Sequence, residues 1–324
     1  MVWFKQLQAF WCTPPADKTE QDLESALAKQ VIGECPSTST LSYGWEHPLN
    51  ATDGSLLITV GRFHCAKFSV AKRLLPLDVI RQTVADRVSQ LEAQQGMPVS
   101  KREIKRLTEE THFELLPKAF IQKKSCFVIW DWDQQRLYVS QTQQALLDHL
   151  SASLAFCIPG WSVKLCKPEQ NIEKQLTRWL KQEDQLPSSF AFGDACQLAD
   201  PKDRFCSIRF TGNELQSQSV QQHLKDGMWV KQIQIQWQER LRFTINPNFA
   251  LSQIKYLDLD KETDEAEGAV AQFQTELALL GPLYREIVDQ LADSLGGMGE
   301  PEAPSTIATK ALVRPFSEDA TTAV

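Results

Sequence analysis

The sequence is poor in the short motifs that announce chemistry. Its 14 glycines never fall into G-x-x-x-x-G-K-[ST], G-x-G-x-x-G or G-x-S-x-G, so no phosphate-cradling loop or nucleophile elbow is legible. Five histidines (His47, His64, His112, His149, His223) are isolated from one another, with no H-x-x-x-H or H-E-x-x-H pair, and read as ordinary surface or buried residues. None of the eight cysteines forms a C-x-x-C pair, so neither a structural zinc nor any cofactor is expected. Scattered through 324 residues, they read as reduced, mostly buried thiols of a cytosolic protein. No apolar run approaches the ~20 residues that cross a bilayer; the longest, 56–60 and 126–130, have the length of strands. The opening Met-Val-Trp-Phe-Lys lacks the basic and apolar regions of a signal peptide, so export is not expected.

What is present is an ordinary globular composition, 42% hydrophobic and 23% charged, with enough chain for two or three subdomains around a sizeable core. The charge is unevenly placed. The chain carries −7 overall, yet residues 67–124 hold twelve Lys and Arg against seven Asp and Glu, a local +5 that leaves −12 for the rest. Segregated charge makes a directed field that the pI of about 5.4 conceals. The stretch reads as the part that meets a polyanion. Its candidate phosphate contacts are Lys72, Arg73, Arg81, Lys101, Arg102, Lys105, Arg106, Lys118, Lys123 and Lys124. The alternative is a solvated face knitted by i,i+4 pairs such as Lys105 with Glu109 and Arg106 with Glu110. No zinc-finger, RRM or KH signature accompanies these cations, so they would give affinity without sequence readout and a steep salt dependence.

The periodicities predict an α+β chain with mostly antiparallel sheet and packed helices. An opening strand covers 2–11 with Val2, Phe4 and Leu7 inward, and a helix covers 19–32, stopped by Gly33. Strands follow at 55–60 and 62–70. Within the basic stretch, Val79, Ile80, Val84, Val88 and Leu91 give a helix over 76–95 with Pro76 in its first turn. Gly96-Met-Pro98 breaks it. Ser100 caps a second helix as a capping box with Glu103, turning Ile104, Leu107 and Phe113 inward and ending near Pro117. A hairpin of strands 125–131 and 136–140, helices over 142–156 and 169–181, short strands near 191 and 205–210, and a helix near 215–224 complete the middle. The alternating Val230-Lys-Gln-Ile-Gln-Ile-Gln-Trp237 opens a three-stranded meander running to 257, with one face of Ile233, Ile235 and Trp237 and another of glutamines. A helix over 266–295, kinked at Pro282, precedes a tail at 298–324 whose composition predicts disorder. The expected divisions are 1–70, 71–124, 125–297 and the tail.

Two acidic features invite a metal reading. Asp131-Trp-Asp133 places two carboxylates at a strand end, as a magnesium site of a nucleic-acid enzyme requires, although turns favour Asp in any case. The acidic run Asp258, Asp260, Glu262, Asp264, Glu265 and Glu267 lacks the spacing and glycine of a calcium loop and reads as a solvated linker.

Several stretches, taken together in order, resemble the RdgC family of bacterial recombination-associated proteins. They are Trp3-Phe4-Lys5, Leu75-Pro76 with Val79-Ile80-Arg81-Gln82, Leu91-Glu92-Ala93, and Leu115-Leu116-Pro117-Lys118-Ala119-Phe120. Leu176-Thr177-Arg178-Trp179, Gln236-Trp237-Gln238 with Arg240 and Phe243, and Leu295-Gly296-Gly297 continue the series, so the resemblance covers about 1–297. It implies a non-catalytic, nucleoid-associated protein that binds double-stranded DNA without sequence preference. It also implies a ring-shaped homodimer of curved subunits, with duplex DNA passing through a positively lined hole, and functional antagonism with the RecA recombinase. Phe120, apolar and flanked by Lys118, Lys123 and Lys124, is then expected at a subunit contact. Where the family tends to be basic after strand 205–210, this chain reads Thr211-Gly212-Asn213, with Arg209 the local cation. The competing expectations are a metal-dependent nucleic-acid enzyme at Asp131 and Asp133, and a protein-interaction scaffold whose basic helices meet an acidic partner.

Overall fold

The computed structural model describes residues 4–15, 18–49, 55–203, 205–212, 214–257 and 268–299. Val2, Trp3, Asn213, the acidic run and residues 300–324 of the tail lie outside the described residues. Met298 and Gly299, placed with the tail by sequence, belong to the folded body: Met298 bridges Pro168 and the Gly299 N–H donates to the Lys167 carbonyl.

The strands are β1 (Gln6–Thr13), β2 (Leu41–Glu46), β3 (Ile58–Val60), β4 (Phe63–Leu74), β5 (Phe120–Asp131), β6 (Arg136–Val139), β7 (Ser162–Leu165), β8 (Phe190–Ala199), β9 (Ser207–Thr211), β10 (Trp229–Trp237), β11 (Leu241–Ile245) and β12 (Ala250–Tyr256). The α-helices are α1 (Asp22–Leu27), α2 (Leu77–Gln95), α3 (Lys101–Leu115), α4 (Gln144–Cys157), α5 (Ile172–Lys181), α6 (Gln218–Lys225) and α7 (Ala269–Ser294). All twelve strands join one antiparallel sheet in the order β2-β4-β5-β6-β1-β12-β11-β10-β8-β9, with β3 on β4 and β7 on β1. The α+β class and the meander agree with the sequence.

Alternation along the central strands divides the core in two. In β1, Leu7 and Ala9 join a cluster roofed by α5, α6 and α7, while Phe10 and Cys12 join one beneath α1 and α4. In β5, Ile129 faces the first cluster, Val128 and Trp130 the second. A sheet covered on both faces needs apolar residues at consecutive positions, which explains the run at 126–130. The meander is covered on one side. Ile233, Ile235 and Trp237 are fully buried, and the opposite face is polar, with Gln236 accepting from Arg242 and Gln253 accepting from Thr244.

Local departures from the sequence reading have local causes. The helix expected over 19–32 ends at Leu27, followed by a single 3-10 turn, because Val31 bridges Trp45 in parallel and the Ile32 N–H donates to the Trp45 carbonyl. Gly44 permits that approach: a Cβ there would fall onto the Gln30 carbonyl and 2.7 Å from Ile32 N. The strand near 191 is ten residues long, since it pairs along β10 through two register shifts.

The last helix lies over the first core and is fixed by charge as well as packing. Leu277, Leu280, Tyr284, Ile287, Val288 and Leu291 are buried, and Pro282 lies inside the helix. Gly281 sits against the Phe63 ring, which a Cβ would approach to 2.7–2.9 Å. Gly→Ala inside a helix ordinarily stabilises by up to ~1 kcal/mol. Here the ring sits in packed core, so Gly281→Ala is expected to destabilise by about 1–3 kcal/mol, read as a lowered urea midpoint at unchanged m-value.

Candidate nucleic-acid interface

Helices α2 and α3 form an antiparallel hairpin projecting from β4 and β5. Pro76 caps α2 from an extended conformation, and Gly96 ends it at φ +67°, the left-handed geometry that glycine adopts freely. Ser100 Oγ accepts from the Glu103 N–H, as the capping spacing predicts. The Glu103 carboxylate turns to Arg106. The hairpin has its own small core of Ile80, Val84 and Leu107, with Leu75, Val88, Leu91 and Ile104 around it. Val79 and Phe113, expected inward, are 46% and 68% exposed. Val79 neighbours Ile80, and only one of two adjacent helical residues can face α3. At the other end Thr111 takes the inward place and accepts from Arg87.

The sequence-predicted cations do not form one patch. Lys101, Arg102, Lys105 and Arg106 lie together on the first two turns of α3, at the free end of the hairpin, and all are exposed. Arg106 pairs with Glu103 and Glu110, whereas Lys101, Arg102 and Lys105 make no ion pair among the described residues. The Arg106–Glu110 pair of the solvated-face reading is therefore formed. Arg81 stands apart on α2, paired with Asp78.

The second group sits on paired strands. Val70, Lys72 and Leu74 of β4 stand opposite Lys124, Gln122 and Phe120 of β5. Lys72 and Lys124 thus share a face, which lines a groove with Leu41, Gln143 and His149. Lys124 donates to Gln143 Oε1 at 3.2 Å. Gln143 and His149 come from the start and middle of α4, and no spacing in the sequence pointed to them.

Arg73 and Lys123 occupy the opposite face, and their charges are engaged. The Arg73 guanidinium donates to the carbonyls of Cys35 (2.8 Å), Pro117 (3.1 Å), Pro36 (3.2 Å) and Leu116 (3.3 Å), stitching the root of the hairpin to the 35–36 loop. Lys123 and Lys67 both pair with Glu46. Burial pushes the Glu46 carboxyl up, but hydrogen bonds from Lys123, Ser69 and Lys67 outweigh it and hold the group below the usual carboxylate range. Lys118 is exposed on the turn between α3 and β5. Two residues on, Phe120 is 86% exposed, beside Leu74 at 42% and Ile121 at 49%. The outer edge of β5 is open there, because β6 pairs only from Val128 onward.

The acidic pair is closed by arginines that the sequence could not nominate. Asp131 is buried, and Arg285 from α7 holds it in a bidentate pair, Nε to Oδ2 at 2.7 Å and Nη2 to Oδ1 at 2.5 Å. Asp133 accepts from Arg62 at 2.9 Å and lies 3.5 Å from Arg285. The Arg62 hydrogen bond holds the Asp133 carboxyl below its usual range. Among the described residues no cluster of three or more His, Cys, Asp or Glu is placed to hold a metal ion. Arg209, on the other side of the sheet, is exposed on the edge strand β9.

A family model described as "Putative exonuclease, RdgC" matches residues 2–298. The chain is 27% identical over 302 residues to the Recombination-associated protein RdgC of Dechloromonas aromatica, covering 91% of this chain and 98% of that protein. It is 26% identical over 309 residues to the protein of the same name from Burkholderia cenocepacia, covering 95% and 100%. The corresponding protein of Pseudomonas fluorescens is 26% identical over 305 residues, covering 93% and 99%. Matched along nearly its whole length, with the basic hairpin and the final helix inside the match, the chain belongs to the RdgC family of recombination-associated proteins.

Proposed function

We propose that this chain binds double-stranded DNA without sequence preference, as a homodimer that closes a ring around the duplex, and thereby modulates RecA-dependent recombination at the nucleoid. The observation that carries the reading is the cluster at the tip of α3, where Lys101, Arg102 and Lys105 stand exposed and without ion pairs among the described residues of an acidic chain. Phosphates satisfy such a cluster, and the acidic remainder repels DNA elsewhere. Lys72, Lys118 and Lys124 extend the positive surface toward β5. Arg73 and Lys123, committed to carbonyls and to Glu46, contribute little directly.

The exposed Phe120 supports a subunit contact on the open edge of β5, and a ring of two subunits requires two isologous contacts on the twofold axis. Phe120→Ser is expected to shift the sedimentation equilibrium toward monomer while moving the urea midpoint by less than about 0.5 kcal/mol, because the ring is solvated in the isolated chain. An unchanged dimer fraction would place the contact elsewhere.

The reading includes no catalysis. A nuclease centred on Asp131 and Asp133 needs carboxylate oxygens open to a metal, and here both oxygens of Asp131 are occupied by a guanidinium. Gel shifts on unrelated linear duplexes across a salt series, with and without magnesium, test the whole reading. Binding that falls steeply with salt and leaves the DNA intact is expected. A flat salt response would sink it. Magnesium-dependent cleavage abolished by Asp133→Ala would establish the enzyme instead, and a folded dimer that binds no DNA would favour a protein scaffold.

A further inference from the structure

The face of the β4–β5 ribbon that carries Lys72 and Lys124 meets α4 in a groove of about 380 Å³. Its apolar wall is Leu41, Val70, Leu74 and Leu146, from β2, β4 and α4. Leu74 is 42% exposed, and Phe120, opposite it on β5, continues the same face. The polar wall includes Lys72, Lys124, Gln143 and His149, and among the described residues no Asp or Glu lines the groove. In a chain of net charge −7, an acid-free groove with two lysines is a local positive site. Ligand sites commonly measure about 300–1,000 Å³ and set a few polar groups into an apolar wall, and this groove has that size and that make-up.

Both ammonium groups are open to a ligand. Lys72 is exposed and makes no ion pair among the described residues. Lys124 donates to Gln143 Oε1, a neutral amide on an exposed side chain, at 3.2 Å. A carboxylate displaces such an acceptor, because a charge-assisted bond is roughly twice as strong. Gln143 also starts α4 without giving it a side-chain cap, so the positive end of a 14-residue helix adds to the field. The fitting ligand therefore carries negative charge and an apolar group together. A duplex offers phosphates to the lysines but nothing apolar to the leucines. Single-stranded DNA is held by stacking its bases on aromatic rings, whereas this wall is aliphatic and His149 is already stacked on Tyr43 at 5.0 Å.

We propose that this groove docks an extended acidic peptide segment of a partner protein. The register sets the pattern the segment must have. Lys124 stands opposite Val70, and Lys72 and Leu74 follow at two-residue steps on the same face of β4. Lys72 and Lys124 are thus diagonal neighbours, with Cα atoms about 7–8 Å apart. Side chains two residues apart on one side of an extended peptide are separated by about 6.7 Å. Carboxylates at alternate positions then accept from Lys124 and Lys72, and an apolar side chain two residues further on lies beside Leu74 and Leu41. Docking there does not depend on duplex binding, whose leading cations lie on α3.

Fluorescence anisotropy with the full chain and a labelled peptide of sequence aspartate-serine-aspartate-serine-leucine tests the proposal. Saturable binding is expected, weakened about tenfold by Lys72→Gln or Lys124→Gln. Leu74→Ser, or serine in place of the peptide's leucine, is expected to cost at least about tenfold. All three side chains are exposed, so the circular dichroism spectrum of each variant should match the parent's. No saturable binding, or binding equal in parent and variants, would overturn the proposal. Binding that disappears as the protein concentration is raised through a monomer–dimer transition would overturn it too, since a second copy would then fill the groove. So would an oligothymidylate that binds more tightly than the peptide with the same sensitivity to Lys72→Gln, which would make single-stranded DNA the occupant.

Discussion

Arg285→Ala is expected to destabilise the protein by about 3–5 kcal/mol, one of the two largest effects the structure implies. The Asp131 side chain has no exposed surface, and removing Arg285 leaves a buried carboxylate without its bidentate partner. Tyr138 OH, at 3.4 Å, is too distant to replace it. The arginine also stacks over Phe63 at 5.0 Å, so its loss removes packing from the residue on which Gly281 rests. Arg285→Lys should recover only part of the loss, because an ammonium cannot reproduce the two parallel bonds. Urea unfolding of the single variants and of Asp131→Asn/Arg285→Ala closes the cycle. The double variant is expected to be more stable than Arg285→Ala alone, since no buried charge remains. If both arginine variants unfolded at the parent midpoint, the pair would not fix α7 to the sheet.

Replacing Lys101, Arg102, Lys105 and Arg106 by glutamate is expected to weaken duplex binding between roughly a hundredfold and a thousandfold near 0.1 M salt. The plot of log K against log salt should lose about 0.9 in slope for each phosphate contact removed, so the variant's curve becomes distinctly shallower. All four side chains are exposed and none packs in the hairpin core, so the circular dichroism spectrum and urea midpoint should stay near those of the parent. Lys123→Ala is the informative contrast. Its ammonium is paired with Glu46, so a smaller loss of affinity is expected. If the α3 variant bound as well as the parent, the contact would move to the Lys72 and Lys124 face or beyond.

What the sequence disclosed and what it withheld follow from the range of the interactions involved. The helical hairpin was legible because caps, breakers and three-to-four spacing act within a few residues, as at Ser100 and Gly96. The meander was legible because alternation at 230–237 is also local. The pairing of Asp131 with Arg285 spans 154 positions, and nothing near either residue signals the other. The same holds for Arg73. Its place in a basic run suggested phosphate, while its fork faces backbone carbonyls from residues 35–36 and 116–119 brought together only by the fold. Lys123 and Lys124 are neighbours in sequence, yet strand alternation sends one to Glu46 and the other to the groove of Lys72. Charge counting adds such residues together; only the register tells them apart.

The Arg73 stitch has a mechanical consequence. The hairpin is a lever whose arm, α3, is 15 residues or roughly 22 Å long, carrying its charge at the tip and its clamp at the root. A torsion of about 10° where β4 and β5 pass into the helices, well within the ordinary variation of strand twist, would swing Lys101 by roughly 4 Å. That is a large fraction of the spacing between successive phosphates. By tying the turn that ends α3 to the 35–36 loop through one guanidinium, the fold limits how far the charged tip can swing from the sheet.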